Sequence, residues 1–166
     1  YRGVVRNVEQ TDEVDLPEAV TRIADVDAKS PERFPARLKK QTCRLLHLSE
    51  GVDDTARKHF RALRLPSGEW AITSALAGIH CAGLLNEDFK VFGGREASMV
   101  WSPMSNLLLY GATSRVKSAR EHGVRIGLGS DWAVSGSKNL LGELKVAQLA
   151  SDGMDTGFSD RDLVAM

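Results

Sequence analysis

The most informative segment of the chain is Gly123-Val124-Arg125-Ile126-Gly127-Leu128-Gly129-Ser130-Asp131. Branched apolar residues at every second position predict a β-strand over residues 124–128, with those side chains facing a helix layer. Asp131 continues the opposite face, which it shares with Gly127 and Gly129. Because small residues beneath a carboxylate leave space for a ligand, Asp131 is a candidate for binding or catalysis.

The same alternation of short apolar runs and amphipathic segments extends upstream and downstream. It predicts strands at residues 44–48, 77–81, 98–101 and 124–128, and helices at 53–63, 70–76, 87–92, 114–121 and 140–150. We expect the helix at 87–92 to be broken by the two glycines at 93–94, and residues 159–163 to form the capped first turn of another helix. Strand and helix in alternation are typical of parallel βαβ units, so an α/β fold is expected. No repeat or linker divides residues 1–166, which we treat as a single unit.

Composition excludes several classes of protein. The 166 residues carry 22 Lys and Arg against 22 Asp and Glu, so the chain has no net positive charge with which to bind nucleic acid or an anionic membrane. The sequence has no apolar run of membrane-spanning length. The two cysteines, Cys43 and Cys81, are too few for a disulfide scaffold. We therefore expect a cytoplasmic protein without nucleic-acid or membrane partners.

Chemically active side chains lie where predicted strands end. His47 lies near the end of the strand at 44–48, His80 near the end of the next, and Asp131 follows the last. Active sites of α/β barrels and sheets form at these carboxyl ends. Imidazole and carboxylate are good ligands for zinc and similar divalent metals, which lower the pKa of bound water from about 15.7 to about 7. Glu50, three residues after His47, lies in the turn beyond the strand and could carry protons.

Two other readings stay open on the residues alone. Each histidine could be a hydrogen-bonded structural residue, and Asp131 a loop or capping residue. The chain would then be a non-catalytic α/β binding or interaction module, such as an open five-stranded sheet. A half-barrel that pairs with a second copy of itself to cover its open edges is a further possibility, and we expect a homo-oligomer.

Four ordered motifs resemble the amidohydrolase superfamily. They are His47-Leu48-Ser49-Glu50, Gly78-Ile79-His80-Cys81, Trp101-Ser102-Pro103-Met104-Ser105-Asn106 with Leu109-Tyr110-Gly111, and the segment from Gly123 to Asp131. Within that superfamily they are most similar to the cytosine-deaminase-like, chlorohydrolase-like and adenosylhomocysteine-deaminase-like enzymes. The resemblance covers about residues 44 to 150 of the chain.

The resemblance implies part of a (β/α)₈ TIM barrel that hydrolyses C–N bonds other than peptide bonds, often by deaminating a heterocyclic substrate. His47 matches the strand-5 metal ligand, and Glu50 matches the proton shuttle beside it. Asp131 matches the strand-8 carboxylate, which ligates the metal and accepts a proton from the attacking water. His80 matches the strand-6 histidine, which hydrogen-bonds the water or the substrate.

Less specific implications concern the substrate. Ser102 and Asn106 fall in the loop after strand 7, near the site. Trp101 and Trp132 follow strands and could flank a planar ring. One divalent ion is implied, with zinc first and iron, manganese or nickel as alternatives. The substrate itself is not specified by these residues.

Two features depart from the family pattern. Its first-strand His-x-His pair is absent, since no two of the four histidines are two positions apart. The bridging lysine of two-metal members is also missing from any predicted strand, because Lys39 and Lys40 precede one, which favours a single metal. A complete barrel needs about 250 residues, so we expect the C-terminal portion of a barrel, with strands 5 to 8 and strand 4 at residues 4–8, inactive alone.

Overall fold

The central sheet contains five parallel strands in the order in which they occur along the chain. A computed structural model describes Ala24–Asp25 and residues 43–166. The strands are β1 (Ala24–Asp25), β2 (Arg44–Leu48), β3 (Leu76–His80), β4 (Ser98–Trp101) and β5 (Arg125–Leu128). Each new strand is added beside the previous one, without the reversal of order that marks a doubly wound sheet. This winding is that of a (β/α)₈ barrel, and the sheet forms part of one.

In the part of the chain that the structure describes, six helices follow or connect these strands. They are α1 (Asp54–Arg61), α2 (Asn86–Gly94), α3 (Pro103–Tyr110), α4 (Val116–Glu121), α5 (Leu140–Gly153) and α6 (Asp160–Val164). Asp53 caps α1 by accepting a hydrogen bond from the Ala56 N–H at 2.8 Å. Asn139 caps α5, and Ser159 caps α6 as its sequence predicts.

Alternate side chains of the strands point to the two faces of the sheet. Leu46 and Leu48 of β2 are buried against the helices, together with Met99 and Trp101 of β4. The helix layer contributes Phe60, Phe92, Val116, Ala119, Ala147 and Leu163 to this core. The helices thus cover one face, and the other face lines a cavity, as the strand period requires.

The helix predicted at residues 70–76 is wrong. Trp70 instead forms an antiparallel bridge with Arg64, and the Ala71 N–H donates to the Leu63 carbonyl at 2.7 Å. Further along, the Thr73 hydroxyl accepts from the Ala75 N–H, which offers the backbone an alternative to helical bonding. These contacts hold the segment in an irregular, largely extended path to β3.

Two other predictions of secondary structure also need correction. The loop expected after β4 is the helix α3, which begins with a proline at its first position and ends at Gly111 in the left-handed conformation, φ 66°. The helix α2 continues through Gly93 and Gly94 instead of breaking there. A Cβ at Gly93 would collide with the carbonyl of His122, so the glycine permits α2 to approach the end of α4.

The described part of the sheet begins at β1. Residues 4–8, the candidate for strand 4, lie outside the described residues. The strand that pairs with β2 is β1, with Ala24 opposite Leu46. None of the helices described by the structure is both long enough and apolar enough to span a membrane.

Candidate active site

One cavity of about 840 Å³ lies at the carboxyl ends of the strands. The four residues predicted to carry chemistry, His47, Glu50, His80 and Asp131, all contribute to its lining. Its floor consists of apolar side chains from the uncovered sheet face, among them Leu45, Ile79 and Val100. The topology therefore brings together residues that are up to 84 positions apart in the sequence, from His47 to Asp131.

His47 reaches the cavity because of the two-residue period of β2. Its neighbours Leu46 and Leu48 point to the helix layer, so His47 points to the open face. The imidazole rings of His47 and His80 stack with their centroids 5.6 Å apart and an angle of 16° between the planes.

Glu50 lies in the turn after β2, where Ser49 (φ 49°) and Gly51 (φ 107°) both adopt positive φ. The turn brings the carboxylate back over the cavity. Its Oε1 accepts a hydrogen bond from the Tyr110 hydroxyl at 2.9 Å, and its Oε2 lies 3.6 Å from Nε2 of His80.

His80 ends β3 in the left-handed region, with φ 68°, a strained conformation for a residue with a side chain. Its side chain is only 1% exposed. Nδ1 lies 3.1 Å from Oδ1 of Asn106, and since an amide oxygen only accepts, Nδ1 carries the proton. The Ser114 hydroxyl donates to the His80 carbonyl, which helps to hold the strained backbone. The ring therefore presents Nε2 to Glu50.

Asp131 follows β5 and also has a positive φ, of 59°. Its Oδ2 accepts a hydrogen bond from the Ser135 hydroxyl at 3.3 Å. Burial raises the pKa of Asp131, but hydrogen bonds from Ser105, Trp132 and Ser135 and the nearby His80 outweigh burial and leave the pKa below its usual value. The site thus favours the ionised carboxylate.

The side chains present suit a divalent metal. Ligand atoms of His47, Glu50 and His80 all lie within 4.8 Å of one another, and Asp131 lines the same cavity outside this group. Imidazole nitrogen and carboxylate oxygen are donors that zinc accepts readily. The predicted ligand pair of His47 and Asp131 therefore faces one space, with Glu50 and His80 closest to His47.

The four residues predicted near the substrate divide into two pairs. Ser102 and Trp132 line the cavity, and Trp132 is 65% exposed. Trp101 does not face the cavity: it alternates with Val100, is fully buried on the helix side and donates its indole N–H to the Thr113 hydroxyl at 2.7 Å. Asn106 is also fully buried, in contact with His80.

Sequence reasoning missed Tyr110 as a site residue. The signal that could have located it is the proline at position 103 followed by a glycine at 111, which brackets a helix. On such a helix Asn106 and Tyr110 are four residues apart and share one face. The contact of Ser135 with Asp131 follows the same four-residue spacing, in the loop after β5.

Two relatives each match a little under two thirds of the chain. The 5'-deoxyadenosine deaminase of Methanothrix thermoacetophila is 28% identical over 107 residues, which are 61% of this chain and 26% of that protein. The 5-methylthioadenosine/S-adenosylhomocysteine deaminase of Caldicellulosiruptor saccharolyticus is 27% identical over 115 residues, 66% of this chain and 27% of the enzyme. The chain spans about a quarter of the length of these relatives. No protein-family model matches it.

A solved structure shows the same fold. It is a variant of atrazine chlorohydrolase from Arthrobacter aurescens, complexed with zinc and atraton. The match has a TM-score of 0.72 and 21% identity, and it covers 96% of this chain and 39% of the chlorohydrolase. The relatives in sequence are thus deaminases, the fold is that of part of a triazine-hydrolase barrel, and the predicted resemblance to the amidohydrolase superfamily is confirmed.

Proposed function

We propose that residues 1–166 form the C-terminal part of a metal-dependent hydrolase that acts on C–N bonds other than peptide bonds and deaminates a heterocyclic substrate. The observation that carries the proposal is the convergence of His47, Glu50, His80 and Asp131 on one cavity. A structural role for each residue alone would not require all four to face the same space. The relatives that catalyse deamination support the same reaction class.

The metal in this proposal is one divalent ion, zinc first, held by His47 and Asp131 together with ligands from the rest of the protein. The donor types fit, and the low pKa of Asp131 keeps its carboxylate ready to ligate. Zinc in the structurally similar chlorohydrolase supports the choice. Such an ion would supply Lewis-acid activation of water at neutral pH.

The remaining polar groups move or hold protons. Glu50 is partly exposed to the cavity, with a side-chain exposure of 31%, so its Oε2 can receive a proton from water and deliver it to the leaving nitrogen. His80 lies beside it, and as an imidazolium its ring would keep the Nδ1 bond to Asn106 and donate a second hydrogen bond from Nε2 to the oxygen on which negative charge develops. Asp131 can accept a proton from the attacking water. These assignments require reach, which the shared cavity provides.

The substrate class follows from the relatives and the cavity together. We propose a nucleoside or related compound with an amino-substituted purine ring, because the two sequence relatives are deaminases of adenine compounds. Trp132 at the cavity wall offers an exposed aromatic face for stacking against a planar ring. Ser102 adds a hydroxyl for hydrogen bonding.

The test uses the intact protein, purified without chelator. We expect about one equivalent of zinc or another divalent metal, and ammonia release from 5'-deoxyadenosine, 5-methylthioadenosine or S-adenosylhomocysteine. Asp131→Ala should lose both metal and turnover, whereas Asp152→Ala, an exposed carboxylate on α5, should retain both. Unchanged metal content in Asp131→Ala would overturn the ligand assignment. Wild-type protein that binds no divalent metal, and releases no ammonia even after zinc is added, would overturn the function.

We also propose that the protein is cytoplasmic and homo-oligomeric, without nucleic-acid or membrane partners. The balanced charge supports the absence of a polyanionic partner. Among the described residues the sheet has two edges, β1 and β5, and wherever the rest of the protein leaves such an edge unpaired it favours association. Sedimentation velocity on the intact protein should show an oligomer. A monomer at all concentrations would contradict this part of the proposal.

A further inference from the structure

The helix α3 contacts both acid–base groups of the cavity from one of its faces. Asn106 and Tyr110 are four residues apart, which places them one above the other on a helix. Asn106 Oδ1 accepts from His80 Nδ1, and the Tyr110 hydroxyl donates to Glu50 Oε1. The orientation of both His80, at the end of β3, and Glu50, in the turn after β2, therefore depends on one helix.

The Tyr110 contact makes the two oxygens of Glu50 inequivalent. Oε1 is engaged by the phenol at 2.9 Å, and Oε2 lies 3.6 Å from His80 Nε2. Since a carboxylate rotates as a rigid unit, fixing Oε1 also fixes the direction of Oε2. A glutamate in a turn, with a partly exposed side chain, would otherwise sample several rotamers.

Tyr110 itself is held in place. It is the last residue of α3, and the chain reverses immediately after it at Gly111, whose φ of 66° suits glycine. Burial and the hydrogen bond to Glu50 raise the pKa of Tyr110 to about 12, so the phenol keeps its proton and remains a donor at neutral pH. The Tyr110 hydroxyl is therefore fixed in position and keeps its proton, so it can orient the Glu50 carboxylate.

We propose that Tyr110 is a positioning residue: its hydroxyl holds Oε1 of Glu50 so that Oε2 faces His80 and the cavity. The inference rests on the proposed role of Glu50 as the group that transfers protons. Tyr110 acts through Glu50 and need not touch the substrate, since it is absent from the cavity lining within the described part of the chain.

The first test is structural and independent of activity. Tyr110→Phe removes one oxygen and keeps the ring, so α3 should remain folded. Crystal structures of the intact wild-type protein and Tyr110→Phe, both loaded with zinc, should show Glu50 in one rotamer in the former and in a different or divided rotamer in the latter. Glu50 unmoved in Tyr110→Phe would overturn the inference, whether or not the proposed reaction is found.

The second test is kinetic and uses a double-mutant cycle. Tyr110→Phe should lower kcat about tenfold, because a misdirected general acid–base group forfeits part of its usual 10²–10⁴-fold contribution, and KM should change less than about twofold. In a Glu50→Gln background the same substitution should have almost no further effect on kcat. Equal losses in both backgrounds would show that Tyr110 does not act through Glu50.

Leu108→Ala is the matched control. Leu108 is on α3, two residues from Tyr110, and is 59% exposed, so the substitution perturbs the helix without touching Glu50. It should leave kcat and the Glu50 rotamer unchanged. If Leu108→Ala reproduces the loss seen in Tyr110→Phe, the effect belongs to the helix and the inference fails. If the wild-type protein shows no turnover of any substrate offered, the proposed function fails and the crystallographic comparison alone decides the role of Tyr110.

Discussion

His80 is the residue on which most of the site's local constraints meet. Its ring is buried, its backbone adopts a positive φ, its carbonyl is bonded by Ser114, and its Nδ1 is bonded by Asn106. A buried polar atom without a partner costs about 1–3 kcal/mol, so the Asn106 contact contributes to stability as well as to the choice of tautomer.

The substitution Asn106→Leu tests that contribution. Leucine has nearly the shape of asparagine but cannot accept a hydrogen bond, so the buried Nδ1 of His80 loses its acceptor. We expect the free energy of unfolding to fall by about 1–3 kcal/mol in urea denaturation. Asn86→Leu, at an exposed position, is the control and should have little effect. A loss no greater than that of the control would contradict this account of His80.

The two thiols should differ in reactivity. Burial raises the pKa of both, moderately for the half-buried Cys43 and far more for the fully buried Cys81, next to His80. Because the thiolate is the reactive form, its fraction at pH 8 is lower for Cys81. A chromogenic disulfide reagent should label Cys43 first in the native protein and Cys81 only on unfolding. Simultaneous labelling of both in the native state would contradict the burial of Cys81.

At the scale of elements, α3 is tied to α5 by a buried carboxylate. Glu143, in the first turn of α5, is fully buried, and its Oε1 accepts from the Met104 N–H at the start of α3 at 2.8 Å. This bond satisfies a backbone donor that the helix itself cannot satisfy. Since α3 holds both Asn106 and Tyr110, the orientation of the acid–base groups depends on this attachment.

Two substitutions of Glu143 distinguish the contribution of its acceptor oxygen from that of the rest of the side chain. Glu143→Ala should lower the free energy of unfolding by about 1–3 kcal/mol, because the Met104 N–H is left buried without an acceptor. Glu143→Gln keeps an acceptor oxygen and should lose less. Glu69→Ala, at an exposed position, controls for the change in charge. Chemical denaturation followed by circular dichroism measures all three, and equal losses for Ala and Gln would exclude the capping explanation.

How far the sequence predicts these elements depends on whether local signals decide them. The strand at 98–101 and the start of α5 are predicted correctly, because period and capping residues act locally. The segment at 70–76 has a helical composition, yet Trp70 pairs with Arg64 and the Ala71 N–H bonds to the Leu63 carbonyl, so the segment stays non-helical. That tertiary pairing leaves no trace in local periodicity. The cavity follows from the strand ends, whereas the contact of Tyr110 with Glu50 depends on the helix α3, a segment that the sequence predicts as a loop.

For the whole molecule, the sheet order determines which residues can act together. His47 lies near the end of the second strand and Asp131 follows the fifth, with two strands between them. Both line one cavity because the parallel strands all end at the same edge of the sheet. The helices on the other face form a continuous core that includes Ala147 of α5 and Leu163 of α6. A ligand bound by both His47 and Asp131 would link β2 to the loop after β5, in addition to the links that the core provides.

This connection predicts that a bound metal stabilises the intact protein as a unit. A ligand at a hundred times its dissociation constant adds about 2.7 kcal/mol to the free energy of unfolding. Each kcal/mol shifts Tm by about 2–4 °C in a domain of roughly 150–250 residues, and by less in a larger protein such as the intact one. Removing the metal with a chelator should therefore lower Tm by at most about 5–10 °C, and adding zinc back should restore it. Asp131→Ala should have the lower Tm from the start and be insensitive to the chelator, whereas Asp152→Ala should respond as the wild type does. A chelator shift of equal size in Asp131→Ala would mean that the stabilising metal is held elsewhere, without a ligand from the loop after β5.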